Sequence, residues 1–168
     1  LPELAAERYG FGTYQASNYD ELIDSPVELG TFALGQFEAP GTLHEIAVTG
    51  HVPNLDMARL EKDLKAICET ETAFFEPDSR RSPVDRYVFL VMAVGNGYGG
   101  LEHRASTALL CSRKSLPSTA TPEQDGKLSE DYVQFLGLCS HEYFHTWNVK
   151  RIKPAAFIPY RLDAETDT

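Results

Sequence analysis

His141, Glu142 and His145 spell the pattern HExxH, and that pattern carries chemistry only when its five residues are helical. Histidines four apart then stand one turn above each other on a single face, so both imidazoles can reach one ion. Zn²⁺ takes such nitrogens at about 2.0–2.1 Å, and a catalytic site keeps one position open for water. Glu142 falls about 100° round the helix from His141, near enough to accept a proton from that water. The metal lowers the water's pKa toward about 7, and a neighbouring carboxylate can serve as base and proton shuttle in peptide hydrolysis. Chance yields one HExxH in roughly a hundred chains of this length and composition. The motif therefore has to be supported by its surroundings.

The surroundings predict the helix independently. Ser129 is a good N-cap, and Glu130 and Asp131 suit the positive end of the helix it opens. Val133, Leu136, Ser140, Phe144 and Trp147 recur at helical spacing as its buried stripe, and Pro154 and Pro159 lie past its end. An earlier helix begins near Pro53, with Asn54 as N-cap, Asp56 in the first turn, and Leu60, Leu64, Ile67 and Phe74 or Phe75 facing a core. Strands are predicted at Thr31–Phe37, Glu45–His51, Tyr87–Val94 and Ala105–Ser112. Tyr87–Val94 is the most apolar and reads as central and covered on both faces.

Between the strands, Gly95–Gly100 reads as a flexible turn. Ser115–Lys127, with Pro117, Pro122 and Gly126, reads as a surface loop. The first 40 residues are aromatic and loop-rich, with a turn at Asp24-Ser25-Pro26 and a break at Ala39-Pro40-Gly41, and the tail from Asp163 to Thr168 is polar. The expected fold class is α+β: a small sheet backed by two long helices, the second carrying HExxH.

A chain of 168 residues with 42% apolar and 24% charged side chains can bury a globular core. A net charge of −10 argues against nucleic acid and anionic membrane as partners, since both demand a basic footprint. No apolar run approaches the roughly 18 residues that would span a bilayer. Leu1-Pro2-Glu3-Leu4 has neither an initiator methionine nor a signal-peptide layout. The simplest account is a piece of a longer protein, whose compartment its own start does not disclose. Cys68, Cys111 and Cys139 form an odd, sparse set with no CxxC pair; it favours a reducing, cytoplasmic setting and three buried hydrophobes. Cys139 lies about 200° round from His141 and faces away from the metal.

Two histidines do not complete a catalytic zinc site, which normally has three protein ligands and a water. Beyond His145 the only glutamate is Glu165, in the polar tail. Upstream, His44, His51, His103 and Glu102 are the alternatives. The expectation is an incomplete site.

The stretch His141–Pro154, HEYFHTWNVKRIKP, resembles the active-site segment of the glycyl aminopeptidase family of zinc metallopeptidases. Tyr98-Gly99-Gly100-Leu101-Glu102-His103 resembles that family's second hallmark, and Asp24–Gly30 is similar to it as well. The resemblance extends over most of the chain. It implies the N-terminal, sheet-containing part of a thermolysin-like gluzincin catalytic domain spanning residues 1–168. His141 and His145 would be zinc ligands and Glu142 the general base. Gly99, Gly100 and Glu102 would bind a peptide substrate, with the Glu102 carboxylate on its free α-amine.

The resemblance also implies remaining domains of a parent protein as partners, a PDZ domain among them. The third ligand, a glutamate on the next helix, and the oxyanion-stabilising residue would lie beyond Thr168. This chain alone would then be inactive. Lys150, Arg151 and Lys153 suit a helix C-terminus, or else the far carboxylate of a peptide. The competing reading is a peptide-binding or scaffold module derived from such an enzyme, without turnover.

Overall fold

The computed structural model describes residues 3–5, 7, 9–39, 41–120 and 127–158. A small hairpin, β1 (Glu3–Ala5) with β2 (Thr13–Tyr14), and a short helix α1 (Tyr19–Ile23) come first. The main body comprises β3 (Phe32–Ala39), β4 (Thr42–Thr49), α2 (Met57–Phe75), β5 (Arg86–Val94), β6 (Tyr98–Glu102), β7 (Ser106–Ser112) and α3 (Glu130–Phe144). Its five strands are ordered β3-β4-β5-β7-β6. β4, β5 and β7 run parallel, while β3 and β6 join antiparallel at the two edges. Parallel neighbours need a long crossover, and α2 supplies the one from β4 to β5. The mixed sheet with its helices gives the expected α+β class.

Both long helices lie on one face of the sheet. Tyr87, Phe89, Val91 and Ala93 point into that layer from β5, as strand alternation requires. They pack with Leu60, Leu64 and Cys68 of α2 and with Tyr132, Phe135, Leu138, Cys139 and Tyr143 of α3. All three cysteines are buried free thiols. β5 is central as expected, but the alternate residues Val88, Leu90 and Met92 are only half-buried or exposed. An unbroken apolar run reads the same whether one face or two are covered, which is why the sequence suggested two.

The stripe on α3 also differs from expectation. Its buried residues are Tyr132, Phe135, Leu138, Cys139, Glu142 and Tyr143, whereas Val133 and Phe144 are exposed. The two tyrosines can go inside because their hydroxyls are served there: Tyr132 donates to Asp63 at 3.0 Å, and the Tyr143 hydroxyl meets His44 at 3.0 Å. The resulting rotation of the helix buries Glu142 and leaves His141 at the surface.

Trp147 is core as expected, stacked on Phe75 with ring centroids 4.8 Å apart. Phe75 and not Phe74 is the inward residue of α2. Caps are partly as predicted. Ser129 accepts from Tyr132 N, but α2 is capped by Asp56, which accepts from Arg59 N at 3.0 Å. The Asn54 carbonyl instead accepts from Thr119 N. Of the glycine-rich Gly95–Gly100 stretch only residues 95–97 form a turn, because from Tyr98 the chain pairs with β7. Pro40, Pro122, Gly126, Pro159 and the 163–168 tail lie outside the described residues.

Candidate metal centre

The Nε2 atoms of His141 and His145 stand 3.1 Å apart. Two nitrogens at about 2.0–2.1 Å from one tetrahedral ion would lie about 3.3 Å from each other, so the pair is already near ligand geometry. The Nδ1 of His145 lies 2.7 Å from the Asn148 carbonyl oxygen. A carbonyl only accepts, so Nδ1 carries the proton and the Nε2 lone pair is left for a metal or for a proton from His141. Val149, the residue after Asn148, holds φ at 122°. A β-branched side chain in that region costs on the order of 1–3 kcal/mol, and the strain sits where the backbone reverses to bring Asn148 onto His145.

Glu142 is only 4% exposed. Its Oε2 is buried without a hydrogen-bond partner among the described residues. Burial pushes its carboxyl above the ordinary value, His141 and His145 pull it partly back, and Glu102 pushes it up again. A buried carboxylate oxygen left unserved calls for a water or ligand beside it. Together with the paired imidazoles this donor set fits a divalent ion with a water next to the carboxylate.

The edge strand β6 forms the other wall. Alternate residues of a strand share a face, so Gly100 and Glu102 face α3. A Cβ built on Gly100 would lie 2.2 Å from Glu142 Oε1 and 2.4 Å from its Cδ. Only glycine allows strand and carboxylate to approach this closely. Gly99 points the other way, and a Cβ there would meet nothing within 4 Å. Of the predicted substrate residues the structure thus brings Gly100 and Glu102 to the site and turns Gly99 from it. If this is the peptidase centre that the sequence resemblance implies, Gly100→Ala should displace the Glu142 carboxylate and lower turnover of the full-length protein by about 10- to 100-fold. Gly99→Ala should stay within about threefold, and steady-state kinetics on both variants checks the contrast.

Single ligand atoms of Glu102, Glu142 and His145 all lie within 4.8 Å of one another. Glu102 is therefore the one upstream alternative for a third ligand that reaches the site. His44 is sunk in the core, stacked on Phe37, held by Thr42 O and Tyr143, with its pKa lowered to about 4 by burial. His103 pairs with Asp24 at 3.3 Å. His51 lines a surface pocket with Arg113 and Lys114. Glu165 lies outside the described residues.

A second layer of contacts escaped the sequence reading. Asp24 accepts from Arg104 N at 2.9 Å and from Lys150 Nζ at 3.1 Å, besides its contact with His103. It ties the turn after Glu102 to the segment after His145. Arg151 donates to Thr146 O at 2.6 Å and to Arg104 O at 3.2 Å. The first of these serves a carbonyl just past the C-cap of α3, close to where a cation at a helix C-terminus is expected. Asp24-Ser25-Pro26 signals a turn in sequence but nothing about what its carboxylate reaches.

Residues 134–168 match the sequence family described as M61 glycyl aminopeptidase, and residues 1–31 match the one described as Peptidase M61 N-terminal domain. Among solved structures, a crystal structure of an aminopeptidase N family protein from Idiomarina loihiensis superimposes with a TM-score of 0.86 at 45% identity. The match covers 98% of this chain and 26% of that one, so the chain spans about a quarter of its relative's length. No curated protein matches. The two family matches lie at opposite ends of the sheet-and-helix unit, and the structural likeness runs through everything between them. The chain belongs to the M61 glycyl aminopeptidase family.

Proposed function

We propose that this chain supplies the metal-binding and general-base half of a zinc-dependent aminopeptidase site on a thermolysin-like scaffold. The observation that carries the reading is the His141–His145 nitrogen pair at 3.1 Å beside the buried, partly unserved carboxylate of Glu142. His141 and His145 would hold Zn²⁺, and Asn148 fixes the tautomer that His145 needs. Bound there, the ion would polarise a water and the scissile carbonyl and lower the water's pKa toward about 7.

Glu142 takes the proton of the attacking water on its carboxylate and passes it to the departing amine. Gly100 keeps β6 close enough to bound that carboxylate. β6 is the last strand of the sheet, so its outer backbone edge is available to an extended peptide, which would add as a further strand. Glu102, at the end of β6, is the partner for the ammonium at the peptide's N-terminus.

The test is substrate discrimination by the full-length protein. A peptide with a free N-terminus should be cleaved with a kcat/KM about 10- to 100-fold above its N-acetylated form, the worth of one charge-assisted hydrogen bond. Glu102→Gln should erase most of that difference. Equal cleavage of both peptides would leave a peptidase that does not read the terminus, and no cleavage of either would support the binding-module alternative.

A further inference from the structure

The sheet face turned away from α2 and α3 carries an apolar band across all its strands. Leu34, Ala47, Leu90, Ala108 and Leu101 are register partners in one row, and Thr49, Met92 and Leu110 follow in the next. Leu34 is 45% exposed, Met92 48%, Leu101 58% and Leu110 37%. Soluble proteins rarely leave a contiguous apolar surface of this kind bare.

The stretch that matches the family's N-terminal domain, residues 1–31, has the same defect. Phe11, Tyr19, Leu22, Ile23, Val27 and Leu29 are all exposed within it. Among the described residues the two surfaces meet at Tyr9 and Glu45. The Tyr9 hydroxyl of that stretch donates to Glu45, and Glu45 belongs to the open face through its register with Gln36 and Val88. Arg86, on the same face, binds the other oxygen of Glu45.

We infer that the open face is the seat of the N-terminal domain, whose last stretch is residues 1–31 and whose apolar body lies over Leu34, Leu90, Met92 and Leu110. The relative's greater length leaves ample chain to form it: this chain covers 26% of that one. Tyr9–Glu45 marks the polar rim of the interface, and the exposed side chains of residues 11–29 belong to the interior of the docked domain. The proposal stands apart from the chemistry of the metal centre and can be tested whatever that chemistry proves to be.

The experiment uses the longer protein carrying its complete N-terminal domain. Because Cys68, Cys111 and Cys139 are buried, a cysteine introduced by Met92→Cys can be read by thiol labelling, with Phe74→Cys on exposed α2 as reference. Met92→Cys should label about tenfold or more slowly than the reference, independent of protein concentration. Leu34→Cys, at the other end of the band, should behave alike and covers the case in which the first variant fails to fold. Photo-crosslinking from p-benzoylphenylalanine at position 34 should join it to peptides upstream of residue 1. Labelling at the reference rate would overturn the proposal, because the face would be bare. Protection that grows with concentration, or crosslinks to a second copy or to peptides beyond residue 168, would overturn it by naming another occupant.

Discussion

Glu142→Gln should lower peptide hydrolysis by the full-length protein by about 10²- to 10⁴-fold, the range general-base removal usually costs. Glutamine keeps the volume and planarity that Gly100 and the end of α3 require, so packing is conserved while the proton acceptor is lost. The buried setting makes the loss large, because among the described residues no other carboxylate is held in the same place. Glu102 approaches, but it stands on the strand opposite and is assigned to the substrate's terminus. Zinc content should remain one ion per chain, since in this reading Glu142 does not bind the metal.

The pH profile adds a signature that misfolding would not copy. A base acts deprotonated, so kcat/KM falls as pH drops through its pKa. Burial raises that carboxyl from the ordinary value, and the neighbouring histidines oppose the rise. The acid limb should therefore report Glu142 in the native protein and vanish from the residual rate of the variant. Steady-state kinetics over pH with metal analysis checks both; full activity in Glu142→Gln would end the role assigned here.

Much of this arrangement was legible because local rules decide it. HExxH requires a helix, Ser129 and its acidic followers place that helix's start, and α3 does begin there; its end comes earlier than the apolar stripe suggested, at Phe144, with His145 as the C-cap and Trp147 beyond it. The sheet's central strand was legible from apolar content alone. What was lost depended on tertiary context. Which side of α3 turns inward was decided by Tyr132 and Tyr143 finding Asp63 and His44, partners 69 and 99 residues away. The strand character of Tyr98–Glu102 was hidden by its glycines, whose low strand propensity was overridden by pairing with β7 and by the need for contact at Gly100. The family resemblance assigned Gly99 and Gly100 to substrate binding where propensity saw only a flexible turn over Gly95–Gly100. The turn at Asp24 was legible but its contacts were not: a carboxylate in a turn is commonplace, and its reach to Arg104 and Lys150 exists only in the fold.

Zinc titration of the histidine variants should give the second large effect, and it separates two donor sets that share one residue. His145 belongs both to the His141–His145 pair and to the group it forms with Glu102 and Glu142. His145→Ala should therefore weaken zinc binding under either arrangement. Changes to residues that merely orient a ligand cost about 10- to 100-fold in affinity, so removing the ligand itself should cost more than about a hundredfold. His141→Ala is the discriminating variant. If the imidazole pair holds the ion, its loss should match that of His145→Ala, while Glu142→Gln binds as well as the native chain. If the carboxylates hold it, His141→Ala should bind normally and Glu142→Gln should not.

The first outcome is expected, because the two ring nitrogens already stand 3.1 Å apart and the Asn148 contact sets the tautomer of His145. Calorimetry on this chain and on a version extended at its C-terminus then locates the third ligand. Tight one-to-one binding in the extended protein alone would place it downstream. Equal binding in both would assign it to Glu102 and overturn the substrate role proposed for that residue.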